Sequence, residues 1–249
     1  MSSSVVDPLL EVSHLDTGYG GLQILWGASL TVRHHECVLL LGANGSGKTT
    51  LLRAILGLIP AWGGHLALAG RPMTHARTHE RVRAGMAYMS EVGVFPDLDV
   101  RENLDLGGYH LPRDETRRRM AELFERFPDL AKRPRALASS LSGGQRKMLG
   151  IAKALMSRPK LVVLDEPSAG LSPRYVKEVL ATLEALRSDG PSFLIAEQNL
   201  GFLAIADRAC VLDGGRTVLE DRVAELRHNP LVKRSYFGVS GPVNSDQDP

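Results

Sequence analysis

Between residues 42 and 49 the chain reads Gly42-Ala43-Asn44-Gly45-Ser46-Gly47-Lys48-Thr49. Glycines at this spacing let backbone N–H groups approach the β- and γ-phosphates of a nucleotide. Lys48 neutralises phosphate charge, and the Thr49 hydroxyl is a hard oxygen ligand for Mg2+. The octapeptide fits the Walker A phosphate-loop pattern, and Thr50 extends the nucleotide-contacting set. That pattern requires a strand before it and a helix after it. Cys37–Leu41 is a short apolar, β-favouring run that stops at Gly42, and Lys48–Leu56 reads as a helix closed by Gly57.

Leu161-Val162-Val163-Leu164-Asp165-Glu166 is an apolar strand ending in two carboxylates. Alone it reads as a buried strand meeting a solvated loop. Downstream of a phosphate loop it reads as a Walker B segment, with Asp165 holding Mg2+ and Glu166 polarising the attacking water. A third segment, Leu141-Ser142-Gly143-Gly144-Gln145, is another anion trap. Ser142 is an N-cap, Gln145 completes a capping box, and the two glycines expose amides. An ordinary capped helix is the plain alternative for that pentapeptide taken alone.

The three segments together, in this order, resemble the ATPases of the ABC superfamily, whose signature sequence Leu141–Gln145 matches in full. The resemblance implies an α/β fold. It would be a P-loop ABC ATPase core with an N-terminal antiparallel β subdomain and an inserted helical subdomain. ATP and Mg2+ are the cofactors it implies. Tyr19 stands where the superfamily stacks an aromatic ring on adenine. Glu91 stands where many members have the Gln that senses the γ-phosphate, and it joins Thr49 and Asp165 as an expected metal-side residue. Gln198 occupies the place of the usual switch His, and Ser172 the place of an Asp. Glu166, Gln198 and Lys48 are the expected catalytic set.

Those departures resemble a subgroup. Glu91, the string Glu197-Gln198-Asn199 and the run Glu166-Pro167-Ser168-Ala169-Gly170-Leu171 look like the ATP-binding subunits of branched-chain amino-acid importers. So do Val94-Phe95-Pro96 before Glu102-Asn103-Leu104, and the ending Asn229-Pro230 with Tyr236-Phe237-Gly238. One departure stands out: Val92-Gly93 follows Glu91 where the subgroup has a longer Gly-Arg-Arg stretch. The resemblance implies a second nucleotide-binding subunit, identical or paralogous, together with membrane-spanning permease subunits and a solute-binding protein. Its implied place is peripheral, on the cytoplasmic face of the cell membrane. Branched-chain amino acids or a related small polar solute are the implied cargo; a lipid or drug exporter, or a soluble ABC ATPase working on ribosomes or DNA, is the alternative. Translation-type members resemble tandem cassettes and chromosome-type members carry long coiled coils. The interval 50–140 has no sustained heptads, and no internal repeat is present.

The elements that must position these residues follow from pattern. Leu9–Val12 and Ile24–Val32 read as strands, with Gly18, Gly20 and Gly21 turning between them. Leu66–Ala69, Met86–Met89, Phe193–Ala196 and Cys210–Leu212 read as further strands. Residues 100–155 are helical in period, and Pro173–Arg187 is a helix with Ser172 as N-cap and Pro173 at its first position. One cassette is therefore expected over residues 5–238, its helical part near 91–159, with 239–249 a frayed tail.

Composition agrees. At 43% hydrophobic over 249 residues the chain can bury a proper core, and a net charge of +2 gives no ground for nucleic-acid binding. Cys37 and Cys210 sit in apolar runs and read as buried thiols. No apolar run approaches the length of a membrane span, and residues 1–8 have no signal-peptide pattern.

Overall fold

The computed structural model describes residues 7–188 and 190–226. The expected tail after residue 238, and the Asn229-Pro230 and Tyr236-Phe237-Gly238 segments, lie outside the described residues. Strands β1 (Leu10–Tyr19) and β2 (Leu22–Val32) form a long antiparallel hairpin. Gly20 and Gly21 turn it with positive φ, while Gly18 lies within β1, one step earlier than the turn expected for it. A Cβ at Gly18 would fall 1.9 Å from the Leu22 carbonyl oxygen, so that glycine serves close strand approach.

Then follow β3 (Cys37–Leu41), α1 (Lys48–Ile55), β4 (Gly63–Leu68), β5 (Arg71–Pro72), α2 (Thr78–Ala84) and β6 (Met86–Met89). Helices α3 (Val100–Gly107), α4 (Arg113–Arg126), α5 (Pro128–Ala131) and α6 (Gly143–Leu155) occupy the stretch before β7 (Leu161–Asp165). The chain continues through α7 (Pro173–Arg187), β8 (Ser192–Glu197), β9 (Arg208–Asp213), β10 (Arg216–Arg222) and α8 (Val223–Leu226).

Two sheets result. One is antiparallel, ordered β2-β1-β4-β5, and the other runs β10-β9-β3-β8-β7-β6. In the second, every strand pair from β9 to β6 is parallel and β10 is an antiparallel edge. Its central strands are apolar on both faces because both faces are covered. Val38 and Leu40 of β3 pack with α1 and the antiparallel sheet, while Cys37, Leu39 and Leu41 pack with the helical layer. The same alternation divides Leu161 and Val163 from Val162 and Leu164. Cys37 and Cys210 are free and buried, and burial pushes both thiols up to about 12.

The helix that carries the phosphate loop is anchored at its far end. Gly57 closes α1 in the left-handed conformation, with Gly57 N–H donating to Ala54 O and Leu58 N–H to Arg53 O, a Schellman arrangement. The buried guanidinium of Arg81 in α2 then caps what remains. It donates to Ala54 O at 2.7 Å, Ile55 O at 2.6 Å, Ala76 O at 2.9 Å and Thr74 O at 3.1 Å. Arg81→Leu keeps an apolar body but removes these four donations, and of the four carbonyls Ala54 O keeps its bond from Gly57 N–H. Urea unfolding should show a loss of about 2–4 kcal/mol; a loss under about 0.5 kcal/mol, the usual scale of a surface change, would contradict this capping role.

Candidate functional site

Parallel strands place their carboxyl ends along one edge, and the loops leaving β3, β6, β7 and β8 all emerge there. That edge gathers residues 42–47, the segment from Ser90 to Pro96, Glu166 and Gln198. The phosphate loop leaves β3 and enters α1 through Gly47, whose φ of 104° only glycine adopts without strain. No side chain caps α1, so the first-turn N–H groups of Lys48, Thr49 and Thr50 keep their donor capacity. The buried Ser46 hydroxyl also has no partner among the described residues. Free amides, an unpartnered hydroxyl and an ammonium around one loop fit a phosphate chain.

Lys48 is only 5% exposed, and its ammonium is turned inward. It donates to Gly42 O at 2.9 Å and Ala43 O at 3.2 Å, and lies 3.7 Å from Glu166 Oε1. Gln198 reaches the same carboxylate: its Nε2 donates to Glu166 Oε1 at 2.8 Å and to Asn44 Oδ1 at 2.7 Å. Lys48, Glu166, Gln198 and Asn44 therefore form one contiguous polar constellation, as the proximity expected of the first three requires. Thr50 is buried beside it in the first turn of α1.

Glu166 has φ 47°, a left-handed conformation that costs a non-glycine residue about 1–2 kcal/mol. The surrounding backbone fixes it. Glu166 N–H donates to Ala196 O at 2.9 Å, and Glu166 O accepts from Ala169 N–H at 3.1 Å. Buried Glu197 braces the neighbouring turns, accepting from Ser168 N–H at 2.7 Å and Gln198 N–H at 3.1 Å.

Thr49 Oγ1 donates to Asp165 Oδ1 at 3.2 Å, and the Tyr88 hydroxyl donates to Asp165 Oδ2 at 3.2 Å. A hydroxyl and a carboxylate together suit a hard cation such as Mg2+. Glu91 is an exposed carboxylate, and among the described residues no three His, Cys, Asp or Glu side chains converge as a metal cluster. Burial raises the Asp165 carboxyl above its usual range, against the lowering effect of the two hydroxyl donors. Burial likewise raises the Tyr88 phenol, which stays protonated and able to donate.

The remaining expected residues lie further out. Tyr19, 40% exposed at the end of β1, accepts a hydrogen bond from Arg53 of α1 at 3.3 Å, so its ring stands beside the phosphate-loop helix. Ser142 caps α6: its Oγ accepts from Gln145 N–H at 3.2 Å and Gln145 Oε1 accepts from Ser142 N–H at 3.1 Å. The near neighbours of Gly143 and Gly144 are the side chains of Leu171 and Tyr175. A Cβ at Gly144 would sit 2.4 Å from the Tyr175 ring, which is why the second glycine cannot be enlarged. Ser172 precedes α7 in an extended conformation, but its hydroxyl makes no capping bond there.

Sequence reasoning passed over Tyr88, Glu197 and Lys147. Lys147 Nζ donates to Glu91 O at 2.6 Å and to Glu166 O at 3.0 Å. The signal for it was present: Gly144, Lys147, Ile151 and Leu155 recur at helical spacing and are all buried, so a lysine stands in a core-facing stripe.

Tyr88→Phe removes one of the two donors that stabilise ionised Asp165. Since hydrogen bonds to the charged form lower a carboxyl pKa, the variant's Asp165 should titrate higher than the parent's. Carboxyl carbon NMR titration reads this directly, and an unchanged or lower midpoint would contradict the arrangement.

A family model described as ABC transporter matches residues 25–169. Over 232 residues the chain is 39% identical to the high-affinity branched-chain amino acid transport ATP-binding protein BraG of Pseudomonas aeruginosa, covering 92% of this chain and 100% of that protein. Over 239 residues it is 33% identical to the lipopolysaccharide export system ATP-binding protein LptB of Escherichia coli, covering 92% and 97%. Among solved structures, the ADP conformation of an ATP-binding cassette of an ABC transporter matches with a TM-score of 0.82 at 26% identity, covering 93% of this chain and 99% of that one. Phosphate loop, paired carboxylates and capped signature helix thus stand in the setting those matches describe, and the chain belongs to the ABC transporter family as an ATP-binding, ATP-hydrolysing subunit.

Proposed function

We propose that two copies of this chain, or one copy and a paralogue, close head to tail around ATP and power import of branched-chain amino acids or a related small polar solute. The likeness to BraG over that protein's whole length is the observation that carries the cargo reading. The sandwich reading rests on geometry. Ser142–Gln145 form a capped helix end beside Leu171 and Tyr175, and such a helix N-terminus suits a γ-phosphate held by another copy.

In this reading Lys48 and the free amides of α1 hold the β- and γ-phosphates. Thr49 and Asp165 would hold Mg2+, with Glu91 as a further metal-side carboxylate. The bound ion would neutralise phosphate charge during transfer. Glu166 accepts the proton of the attacking water. Gln198 has no proton to lose near neutral pH, so it aims Glu166 and the water through its amide. Tyr19 stacks on adenine. Hydrolysis and phosphate release remove the charge bridge between the copies, and the pair opens.

Membrane subunits would meet the segment after β6. Val92 and Phe95 are exposed there, with Leu106 and Tyr109 exposed on and after α3. Asn103, fully buried, braces that segment by accepting from Phe95 N–H at 2.8 Å and donating to Phe95 O at 3.0 Å. Among the described residues no helix is long and apolar enough to cross a membrane, so the chain would reach the cytoplasmic face through such partners. A solute-binding protein completes the proposed importer. The likeness to LptB supports a second reading, the ATPase of a lipid exporter.

Two measurements test this. On size exclusion with saturating Mg-ATP, Glu166→Gln should run as a dimer with hydrolysis nearly abolished, because an amide cannot take up the proton. Ser142→Arg should stay monomeric yet bind ATP as tightly as the parent monomer. Parental turnover in Glu166→Gln, or lost ATP affinity in monomeric Ser142→Arg, would overturn the sandwich. Vesicles carrying the co-purified membrane subunits should take up labelled leucine only with ATP; ATP-driven lipid movement without leucine uptake would favour the exporter reading.

A further inference from the structure

Lys147 is 7% exposed, deep enough that its ammonium must be compensated. Burial lowers its pKa, and the carboxylates of Glu91, Glu197, Glu166 and Asp165 surround it. Yet none of them lies within salt-bridge distance. Both polar contacts go instead to main-chain carbonyls, Glu91 O at 2.6 Å and Glu166 O at 3.0 Å. A group that grips two backbones and no side chain is holding segments in place. The segments are the exposed turn after β6 and the strained turn after β7.

A second contact ties the first of these to the same helix. Gly93 and Gly150 meet backbone to backbone, and a Cβ on Gly150 would lie 3.3 Å from Gly93 Cα and 3.0 Å from Met89 Sδ. The segment carrying Glu91, Val92 and Phe95 is therefore seated on α6. At the other end of the link, Glu166 O belongs to the residue whose left-handed backbone aims its carboxylate at Lys48 and Gln198. That carbonyl and the carboxylate's stem leave the same Cα, so displacing the first strains the residue that carries the second.

We propose that Lys147 is a positioning residue that couples the Glu91 segment and the signature helix to the hydrolytic turn at Glu166. A partner pressing on Val92 and Phe95 moves Glu91 O, Lys147 carries the displacement to Glu166 O, and the carboxylate comes into or out of line. This rests on the reading of Glu166 as the proton acceptor given above. Among the described residues, the polar contacts of Lys147 are the two main-chain carbonyls alone.

The test is a double-mutant cycle on the full-length chain. Lys147→Met, nearly isosteric, should lower kcat roughly ten-fold or more while KM for Mg-ATP stays within about two-fold, since ground-state contacts are untouched. In single turnovers the double variant Lys147→Met, Glu166→Gln should match Glu166→Gln within about two-fold, because a residue acting through Glu166 has nothing left to position. Lys147→Gln, shorter and still a donor, should lose kcat in the same direction by a smaller factor, and it serves if the methionine variant does not fold. Parental kcat in the folded Lys147 variants, a loss confined to KM, or a full second loss on top of Glu166→Gln would overturn the coupling role alone. Parental turnover in Glu166→Gln by itself would overturn both this role and the reading it rests on.

Discussion

The buried ammonium of Lys48 is the constraint around which the rest of the site is arranged. A lysine at 5% exposure needs oxygen around it, and the loop that delivers it supplies two carbonyls while β7 supplies a carboxylate. To bring those oxygens together, three parallel strands must end level with one another. Their registry does this: Leu41 pairs with Glu197, and Asp165 with Ala196. The doubly covered sheet, the Schellman close of α1 and the Arg81 cap all keep that one edge rigid.

The signature helix is tied to the same edge. The signature helix α6 reaches the strand-end loops through the Lys147 hydrogen bonds and the Gly93–Gly150 approach. These contacts add to the apolar packing of Leu149, Ile151 and Leu155 with Leu39, Leu41, Leu164 and Ile195, so α6 shares the core of the central sheet. The left-handed backbone at Glu166 adds stored strain at one of the two residues whose carbonyls Lys147 grips.

Most of the central sheet was legible in the sequence because strands buried on both faces write continuous apolar runs, and Cys37–Leu41 and Leu161–Leu164 are such runs. The phosphate loop and the signature cap were legible because their chemistry depends on local spacing. The hairpin β1–β2 is longer at its turn end than its apolar pattern, since exposed residues such as Tyr19 and Leu22 are carried by ladder hydrogen bonds. Strands β5 and β10 are largely polar edge strands and left no apolar signature. Lys147, Glu197 and Tyr88 act across long sequence separations, Tyr88 on Asp165 and Lys147 on Glu91, which no local pattern records. Gln198 was visible only through resemblance; its hold on Asn44 and Glu166 needed the fold.

The central claim is that a γ-phosphate joins the phosphate loop of one copy to the signature helix of another. The native thiols favour a direct test, because Cys37 and Cys210 are buried with their pKa values pushed up to about 12, leaving introduced cysteines as the reactive ones. In a chain carrying Asn44→Cys and Ser142→Cys, oxidation under saturating Mg-ATP should give a cross-linked dimer, while ADP or nucleotide-free protein should stay monomeric. Equal cross-linking in every nucleotide state, or a disulfide closing within one chain, would contradict the account.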